Sequence, residues 1–345
     1  MSKKVLVAIL NWNGQKHLSE FLPSVVMHSS DVAEILVIDN ASTDDSVVWL
    51  STHFPQVRVK QNPFNAGFAG GYNLGLKDES AEYFVLLNSD VEVTPNWILP
   101  VIGEMEKDEK IVAAQPSIRA FLKQTHYEHA GAAGGYMDKD LYPFCRGRIF
   151  GNVEPCEGQY PSVEEVFWAT GACLFIRGNA FKEVGGFDHD FFAHMEEIDL
   201  CWRLKNRGYR IIAVPQSTVL HLGGGTLNYE SPGKTYLNFR NNLWAIHKNY
   251  FESNLFLKIF RRLCMDGLAG IRFLLKGNFR HLWAIVRAHF AYYRAMQRLN
   301  KQRATERQFK QSLNRKGWYK KSITIGFFLG GKKKFSDLKK EDFYA

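Results

Sequence analysis

The stretch EILVIDNASTDDS, residues 34–46, is an apolar run that stops abruptly at small polar and acidic residues. The apolar run Val5–Leu10 passes in the same way into Asn11–Gly14, and Tyr83–Leu87 passes into Asn88–Asp90. Short apolar runs bounded by polar turns are typical of buried strands. The sequence therefore predicts three strands that each end in a polar cluster.

Segments with helical spacing separate these strands. Residues 16–27 carry apolar positions at helical spacing, and residues 42–50 are predicted to form a helix with Ser42 as its N-cap. A short strand at residues 57–60 and a glycine-rich helix follow. This alternation predicts an α/β fold with a mainly parallel sheet over residues 1–115. Because ligands bind at the carboxyl ends of such strands, we expect the polar clusters to converge on one sheet edge.

The rest of the chain divides into a loop-like part, a mixed part and a helical part. Residues 116–165 are rich in Gly, Tyr and Pro, which predicts long loops around a site. From Tyr236 onward the spacing predicts helices almost to the end. Between these parts the pattern predicts a strand within residues 166–177, a helix at 179–184, a helix at 195–207 and a strand at 209–214.

Composition excludes several protein classes. The 345 residues are 46% hydrophobic and 23% charged, which excludes a mostly disordered or collagen-like chain. Five scattered cysteines without CxxC spacing signal neither a disulfide framework nor a zinc site, so we expect a reducing compartment. The apolar run Val5–Leu10 is too short for a secretory signal, and no run is long enough for a membrane-spanning helix.

Charge is distributed unevenly along the chain. Residues 234–345 carry 25 Lys and Arg against 6 Asp and Glu, a net charge of +19, whereas residues 1–233 carry 19 against 29, a net charge of −10. A concentrated positive field attracts phosphate-bearing surfaces. Apolar residues interleaved at helical spacing favour amphipathic helices on an anionic membrane, while nucleic-acid binding or packing on the rest of the chain are alternatives.

Two segments could hold a nucleotide. The acidic groups of residues 39–44 could accept hydrogen bonds from a ribose hydroxyl or a base N–H, although a plain helix cap would explain them equally. The glycine-rich residues 65–73 would let a phosphate or base approach the backbone closely, or form only a structural turn. Their spacing does not match the dinucleotide-binding fingerprint.

Other residues are candidates for binding a metal or for acid–base catalysis. Asn88–Asp90 could place oxygen ligands on a cation that is bound to a diphosphate, or form a simple polar turn. Glu196, Glu197 and Asp199 crowd the start of a helix, where they could raise one another's pKa and yield a general base, or form a solvated face. His221 closes a strand and could be a metal ligand or a core histidine.

In this order, the segments resemble the family 2 glycosyltransferases with the GT-A fold, specifically the rhamnosyltransferase-like branch. The resemblance covers roughly residues 4–250. It rests on NWNG at 11–14, VIDNASTDDS at 37–46, NAGFAGGYNLGL at 65–76, LLNSDVE at 86–92, GACLFIR at 171–177, GGFDHDFF at 185–192, MEEIDLCWR at 195–203 and YLNFRNNLWAIHKN at 236–249.

The resemblance implies a Rossmann-like GT-A catalytic domain at residues 1–233. Its nucleotide-sugar half would span residues 1–115 and its acceptor half residues 116–233. A helical, basic region that associates with membranes would follow at residues 234–345.

The resemblance also implies site residues. Asp90 and His221 would bind a divalent metal, Mg²⁺ or Mn²⁺, whereas direct ligation by Asn88 is in doubt because it replaces the usual first carboxylate. The nucleotide-binding residues would be Asn11, Asp39, Gly67, Asn73, Asn88 and Ser89. The acceptor would contact Trp168, Thr170, Gly171 and Ala172.

The catalytic base implied by the resemblance is Glu197, with Glu196 and Asp199 as alternatives. Many relatives have Glu-Asp where this sequence has Glu196-Glu197. The implied reaction is inverting transfer of a sugar from dTDP-rhamnose or a UDP-hexose to a hydroxyl of a glycan or lipid-linked oligosaccharide, in cell-surface polysaccharide biosynthesis. We expect a peripheral location on the cytoplasmic face of the inner membrane and no nucleic-acid partner. The alternatives are a nucleotidyltransferase or a nucleic-acid-binding protein.

Overall fold

The structure, a computed structural model, describes residues 4–223, 231–311 and 314–344. Its strands are β1 Val5–Asn11, β2 Ala33–Asp39, β3 Arg58–Gln61, β4 Tyr83–Asn88, β5 Val91–Val93, β6 Ile111–Ala120, β7 Lys123–Tyr127, β8 Gly135–Asp138, β9 Pro143–Cys145, β10 Arg148–Ile149, β11 Asn152–Val153, β12 Glu164–Glu165, β13 Cys173–Arg177, β14 Arg210–His221 and β15 Trp318–Tyr319. Its α-helices are α1 Gln15–Ser29, α2 Ser46–His53, α3 Gly67–Leu76, α4 Leu99–Glu106, α5 Gly178–Glu183, α6 Glu196–Asn206, α7 Pro232–Asn249, α8 Leu255–Leu275, α9 Phe279–Arg307 and α10 Ile323–Phe328.

A large mixed sheet forms the centre of the molecule, in the order β12-β14-β6-β13-β4-β1-β2-β3. Strands β4, β1, β2 and β3 are parallel. Strand β13 runs antiparallel to both β4 and β6, and β14 is parallel to β6. Asn11 pairs with Asp39, and Leu10 pairs with Asn88, so the polar clusters after β1, β2 and β4 meet at one edge. The predicted α/β fold with a mainly parallel core is therefore confirmed.

Helices cover both faces of this sheet. On one face Ala8 and Ile38 pack with Tyr72 of α3. On the other face Val7 packs with Leu18 of α1. Because both faces are buried, the strands read as unbroken apolar runs rather than as alternating ones.

A second, smaller sheet corrects the prediction for residues 116–165. That prediction of long loops was wrong, because the segment contains the end of β6 and six further strands of two to five residues. The smaller sheet has the order β11-β10-β9-β8-β15. Its strands are too short to leave a readable periodicity, which explains why the sequence pattern missed them.

The helix predicted at residues 42–50 starts later than its pattern indicated. Helix α2 begins at Ser46, and Ser42 is not its cap. Instead Ser42 Oγ accepts hydrogen bonds from the Asn13 backbone at 2.9 Å and from Asn11 Nδ2 at 3.2 Å. A tertiary contact with the loop after β1 has replaced the local cap.

Long helices continue only as far as α9, and the one α-helix within residues 314–344 is the six-residue α10. Residues 314–344 return to the small sheet, where β15 pairs with β8 and Ile323 N donates to Asp138 Oδ2 at 2.8 Å. The prediction of helix almost to the end was therefore wrong over this segment. Trp318 packs edge-on against Phe167 and Trp202, which accounts for the docking of the segment. Within the described ranges, no helix is both long and apolar enough to cross a membrane.

Candidate active site

A cavity of about 1700 Å³ opens where the polar clusters meet. Trp12, Asn40 and Asp90 line it from the strands of the parallel core. Glu197 and His221 line it from the antiparallel side. Helices α7, α8 and α10 supply a further part of the wall. The sheet edge that the sequence pattern predicted is thus one side of a much larger space.

Two of the predicted nucleotide-binding residues lie behind the cavity wall. The buried carboxylate of Asp39 accepts hydrogen bonds from Asn11 Nδ2 at 3.1 Å and from the Ser42 backbone at 3.0 Å. Neither Asp39 nor Asn11 lines the cavity, because both side chains join the ends of β1 and β2. Asn40 faces the cavity instead, and its Nδ2 donates to Gly67 O at 3.0 Å.

The glycine-rich segment is folded against the loop before α6. Gly67 lines the cavity with φ of +70°, and a Cβ at this position would lie 2.5 Å from the Phe192 ring. Only glycine fits this left-handed position without a shift of its neighbour. Asn73 lies away from the cavity, because its Nδ2 donates to Phe187 O at 2.7 Å and its Oδ1 accepts from Phe187 N at 2.9 Å. Asn73 therefore joins α3 to the loop before α6.

Asp90 and His221 lie side by side in the cavity. The distance from His221 Nε2 to Asp90 Oδ1 is 3.2 Å, and His221 Nδ1 lies 3.1 Å from Glu128 Oε2. Burial lowers the pKa of His221, but the interactions with Asp90 and Glu128 outweigh burial and raise the pKa to about 10. Burial opposes the shift at Asp90 as well, yet the hydrogen bond to His221 leaves the pKa of this carboxyl below its usual range.

These residues fit a cation that takes most of its ligands from elsewhere. Among the residues that the structure describes, no set of three His, Cys, Asp or Glu side chains is arranged to hold a metal ion. Asp90 and His221 could still offer one oxygen and one nitrogen, which suits a cation otherwise bound by phosphates and water. Glu128 lies behind His221, where it could orient the ring as carboxylates commonly do behind metal-binding histidines. Asn88 and Ser89 also line the cavity beside this pair.

Glu196 and Glu197 occupy the first turn of α6 and face the same cavity. The Oε2 atoms of both side chains are buried and have no hydrogen-bond partner in the described part of the chain. Burial raises the pKa of Glu197 to about 7, although backbone N–H groups at the helix start oppose this. Burial and the neighbouring Glu197 raise the pKa of Glu196 well above its usual range. A carboxylate with such a pKa can accept a proton near neutral pH.

The backbone that presents these carboxylates is strained. Phe192, His194 and Met195 all have positive φ, at 64°, 68° and 71°. Asn241 of α7 lies within 2.7–3.0 Å of three carbonyl oxygens of this turn, from residues 191, 193 and 194. Non-glycine residues in this conformation are costly, and such strain clusters at functional sites. The amide of Asn241 therefore holds the turn that aims Glu196 and Glu197.

Asp199 does not fit the role of a catalytic base. Its side chain is fully buried and accepts hydrogen bonds from Arg203 Nε at 2.8 Å, Lys248 Nζ at 2.8 Å and Asn249 Nδ2 at 2.7 Å. Asp199 does not line the cavity, because it lies on the opposite face of α6 from Glu197. The structure thus leaves Glu196 and Glu197 as the candidates for the base.

The predicted acceptor residues all line the cavity. Trp168 Nε1 donates to Tyr136 O at 3.1 Å, which fixes the indole against the small sheet. Thr170 N donates to Gln115 Oε1 at 3.0 Å. Asn88 N donates to Ala172 O at 3.0 Å, so the turn containing Gly171 joins the side of the cavity that carries Asp90. These bonds position the turn beside the cavity.

Several cavity residues escaped the sequence analysis. Trp12 lies 47% exposed in the cavity wall, and its position between the two asparagines of NWNG was the only local signal for it. Arg148 and Lys234 come from β10 and α7, and no motif marked them. Residues of α8 and α10 line the cavity only because the C-terminal segment folds back.

Sequence comparisons relate this chain to glycosyltransferases. Residues 6–160 match the family model described as glycosyl transferase family 2. A similar curated protein is the N-acetylglucosaminyl-diphospho-decaprenol L-rhamnosyltransferase of Mycobacterium tuberculosis, 28% identical over 235 residues, which are 64% of this chain and 76% of that protein. The low-salt glycan biosynthesis hexosyltransferase Agl10 of Haloferax volcanii is 23% identical over 255 residues, or 72% of this chain and 76% of that protein.

Solved structures with low sequence identity share the fold. GalNAc-T7 with UDP, GalNAc and Mn²⁺ superposes with a TM-score of 0.55 at 18% identity, over 73% of this chain and 49% of that one. Staphylococcus aureus TarS with UDP-GlcNAc gives a TM-score of 0.53 at 14% identity, over 90% and 93% of the two chains. These similarities establish the GT-A fold.

Proposed function

Because the chain belongs to the family 2 glycosyltransferases, in the rhamnosyltransferase-like branch, we propose that it performs an inverting sugar transfer in glycan biosynthesis. The donor would be a nucleotide diphosphate sugar, and the acceptor a hydroxyl of a glycan or lipid-linked oligosaccharide. One observation carries the proposal. Glu197 faces the same cavity as Asp90 and His221, which lie next to each other. One carboxylate oxygen of Glu197 has no hydrogen-bond partner among the described residues.

In the proposed mechanism Glu197 takes the proton of the acceptor hydroxyl. The hydroxyl oxygen forms a bond to the anomeric carbon, and the bond from that carbon to the diphosphate oxygen breaks on the opposite face. The electron pair leaves with the nucleotide diphosphate, and the proton ends on a carboxylate oxygen of Glu197. The raised pKa of Glu197 supports this role, since a carboxylate of ordinary pKa would be a weaker base.

Asp90 and His221 would hold a divalent cation, Mg²⁺ or Mn²⁺. When bound, such a cation supplies positive charge beside the departing diphosphate. Two GT-A structures similar to this chain, GalNAc-T7 and the mannosyltransferase PcManGT of Pyrobaculum calidifontis, are described with Mn²⁺. Asp90 and His221 lie 3.2 Å apart in this cavity, so both could reach one cation once His221 has released its proton.

The proposed donor is dTDP-rhamnose or a UDP-hexose. Similarity to an L-rhamnosyltransferase favours the first, and the UDP and UDP-GlcNAc in related structures favour the second. Trp12 offers an aromatic face beside the strand ends, where a pyrimidine base could stack. We propose that residues 1–233 bind the donor and the reacting hydroxyl of the acceptor.

We propose that the basic region at residues 234–345 contacts an anionic membrane surface, on the cytoplasmic face of the inner membrane. Its net charge of +19 and the exposed apolar side chains of Phe256, Phe260 and Trp283 support this. Pelleting with anionic vesicles, compared with nucleic-acid binding at matched salt, tests it. Preferential binding to nucleic acid would contradict the membrane role.

The experiment that tests the function is a donor panel. The purified protein is incubated with UDP-, dTDP- and GDP-sugars and a divalent metal, and release of the nucleotide diphosphate is measured. We expect hydrolysis of one pyrimidine-nucleotide sugar by the unaltered protein and at least ~100-fold less by Glu197→Gln. Release of inorganic diphosphate from a nucleoside triphosphate and a sugar phosphate would instead indicate a nucleotidyltransferase.

A further inference from the structure

The active-site cavity continues into a groove between α8 and α10, which we call the α8–α10 groove. Its side chains are mostly apolar and unusually exposed. Leu268 is 66% exposed, Phe328 45% and Leu329 84%. The groove is lined by Met265, Leu268, Ala269, Arg272, Phe273, Lys276, Thr324, Ile325, Phe328 and Leu329. Scattered exposed apolar residues are ordinary, but a contiguous patch that joins a binding cavity indicates a ligand surface.

Buried polar contacts fix the orientation of both helices. On α8, Asp266 is fully buried and accepts hydrogen bonds from Arg262 Nε at 2.8 Å and from the Tyr142 hydroxyl at 3.3 Å. On the other side of the groove, Asp138 holds the first residue of α10 through the Ile323 backbone. The apolar side chains that face the groove are therefore held there by the fold.

The groove also carries positive charge. Arg272 and Lys276 lie one turn apart on α8, and neither is paired with a carboxylate in the described part of the chain. Arg262, by contrast, is paired with Asp266. The Arg272 guanidinium lies 4.9 Å from the centre of the Phe328 ring, so charge and apolar surface meet across the groove. A long apolar chain that ends in a phosphate would complement both features.

The cavity has room for such a molecule beside the donor. Pockets for one small ligand usually occupy about 300–1000 Å³. The present cavity, at about 1700 Å³, exceeds that range and is continuous from Glu197 to Leu329. We propose that the α8–α10 groove binds the hydrocarbon chain of a lipid diphosphate acceptor, and that Arg272 and Lys276 bind its phosphates. This inference rests on the proposed function, because it assigns the acceptor of that same site.

The test measures binding of a defined probe to the full-length protein. Geranylgeranyl diphosphate is used below its micelle concentration by equilibrium dialysis, with EDTA present so that no metal at Asp90 contributes. Geranylgeraniol and inorganic diphosphate serve as the chain-only and head-only ligands. We expect each of these to bind at least ~10-fold more weakly than the intact lipid diphosphate.

Matched variants test whether the lipid is bound by the groove side chains or by exposed apolar side chains in general. Leu268→Ser with Phe328→Ser removes groove side chains, whereas Phe256→Ser with Trp283→Ser removes side chains that are 84% and 60% exposed but lie outside the cavity. We expect the groove pair to weaken lipid diphosphate binding at least ~10-fold and the control pair to leave it unchanged. Arg272→Gln with Lys276→Gln should weaken lipid diphosphate binding similarly and make that binding less dependent on salt.

Three outcomes would overturn the inference. The first is no binding of geranylgeranyl diphosphate by the unaltered protein, and the second is equal loss in the groove and control pairs. The third is that the groove pair loses pelleting with phosphatidylcholine–phosphatidylglycerol vesicles but keeps lipid diphosphate binding, which would make the groove a bilayer contact. Nucleotide-sugar hydrolysis, measured on the control pair Phe256→Ser with Trp283→Ser, should stay unchanged. Its absence in the unaltered protein would refute the proposed function separately, without altering the lipid-binding result.

Discussion

Lys248 Nζ of α7 lies 2.8 Å from the fully buried carboxylate of Asp199 on α6. The same Lys248 Nζ lies 2.7 Å from Asp188 Oδ2. Helix α7 is therefore joined to the helix that presents Glu196 and Glu197 by largely buried charges. Packing of this region on the catalytic part and binding to a membrane are compatible, since α8 and α9 still expose apolar side chains such as Phe256 and Trp283.

The Lys248–Asp199 pair leads to a prediction about stability. Lys248→Met should lower the free energy of unfolding by ~3 kcal/mol, because it leaves two buried carboxylates without their shared cation. Urea denaturation measures this, with Lys16→Met on the exposed side of α1 as the control. If the free energy of unfolding changes by less than about 1 kcal/mol, the size expected of an exposed ion pair, the pair does not stabilise the contact between α6 and α7 significantly.

Metal dependence follows from the contact between Asp90 and His221. Asp90→Asn should reduce transfer or donor hydrolysis at least ~100-fold, because it removes the charge that would hold a divalent cation at the diphosphate. EDTA should abolish activity of the unaltered protein, and added Mn²⁺ or Mg²⁺ should restore it. Circular dichroism of Asp90→Asn checks that the fold is kept. Full activity in EDTA would refute the prediction.

Activity should depend on the ionisation of Glu197. With its pKa raised to about 7, Glu197 can act as a base only above that pH, so the rate should rise with pH and level off beyond it. Glu197→Gln should lose at least ~100-fold in turnover and should bind UDP or dTDP almost normally. Glu196→Gln under the same conditions is the comparison. If Glu197→Gln keeps more than about a tenth of the activity, the base would be Glu196.

The same residue should affect stability in the opposite direction. Unfolded Glu ionises near 4.5 and folded Glu197 near 7, so between these values only the unfolded state loses its proton. The folded state therefore loses stability as pH rises through this window. Glu197→Gln should be more stable than the unaltered protein by ~1–3 kcal/mol at pH about 7.5, and equally stable near pH 4. Thermal unfolding of both proteins at the two pH values checks this. If the variant and the unaltered protein are equally stable at both, burial does not raise the pKa of Glu197.

Asn241 should act as a positioning residue. Asn241→Asp replaces the amide donor with a carboxylate facing three carbonyl oxygens, so the turn before α6 should relax and misplace Glu197. We expect a ~10- to 100-fold lower turnover with unchanged nucleotide affinity. Asn242→Asp, at the next position on α7, is the matched control. Equal loss in both variants would indicate a general folding defect instead.

Trp12 should contribute to nucleotide binding. Trp12→Leu should weaken UDP or dTDP binding ~10-fold, within the range expected for loss of one base-stacking contact. Calorimetry on the two proteins measures this, with ADP as a second ligand. Binding of ADP as tight as that of UDP would refute the preference for pyrimidines.

The sequence alone determined the fold class and one edge of the site. Buried parallel strands need continuous apolar runs, and a strand ends where polar residues begin, so residues such as Asp39 and Asn88 were placed correctly at strand ends. Short-range patterns also located the carboxylates at the start of α6. They failed at Ser42 and across residues 116–165, because a tertiary hydrogen bond and strands of two to five residues leave no periodic signal.

Only the tertiary structure decided which side chains face the cavity. Asp39, Asn73 and Asp199 have residue types suited to a site, and the structure shows them bonded to Asn11, Phe187 and Lys248 outside the cavity lining. The α8–α10 groove depends on the return of residues 314–344 to the small sheet, which no local pattern encodes. Periodicity reports whether a position is buried, whereas the direction in which a polar side chain points is set by partners that are distant in sequence.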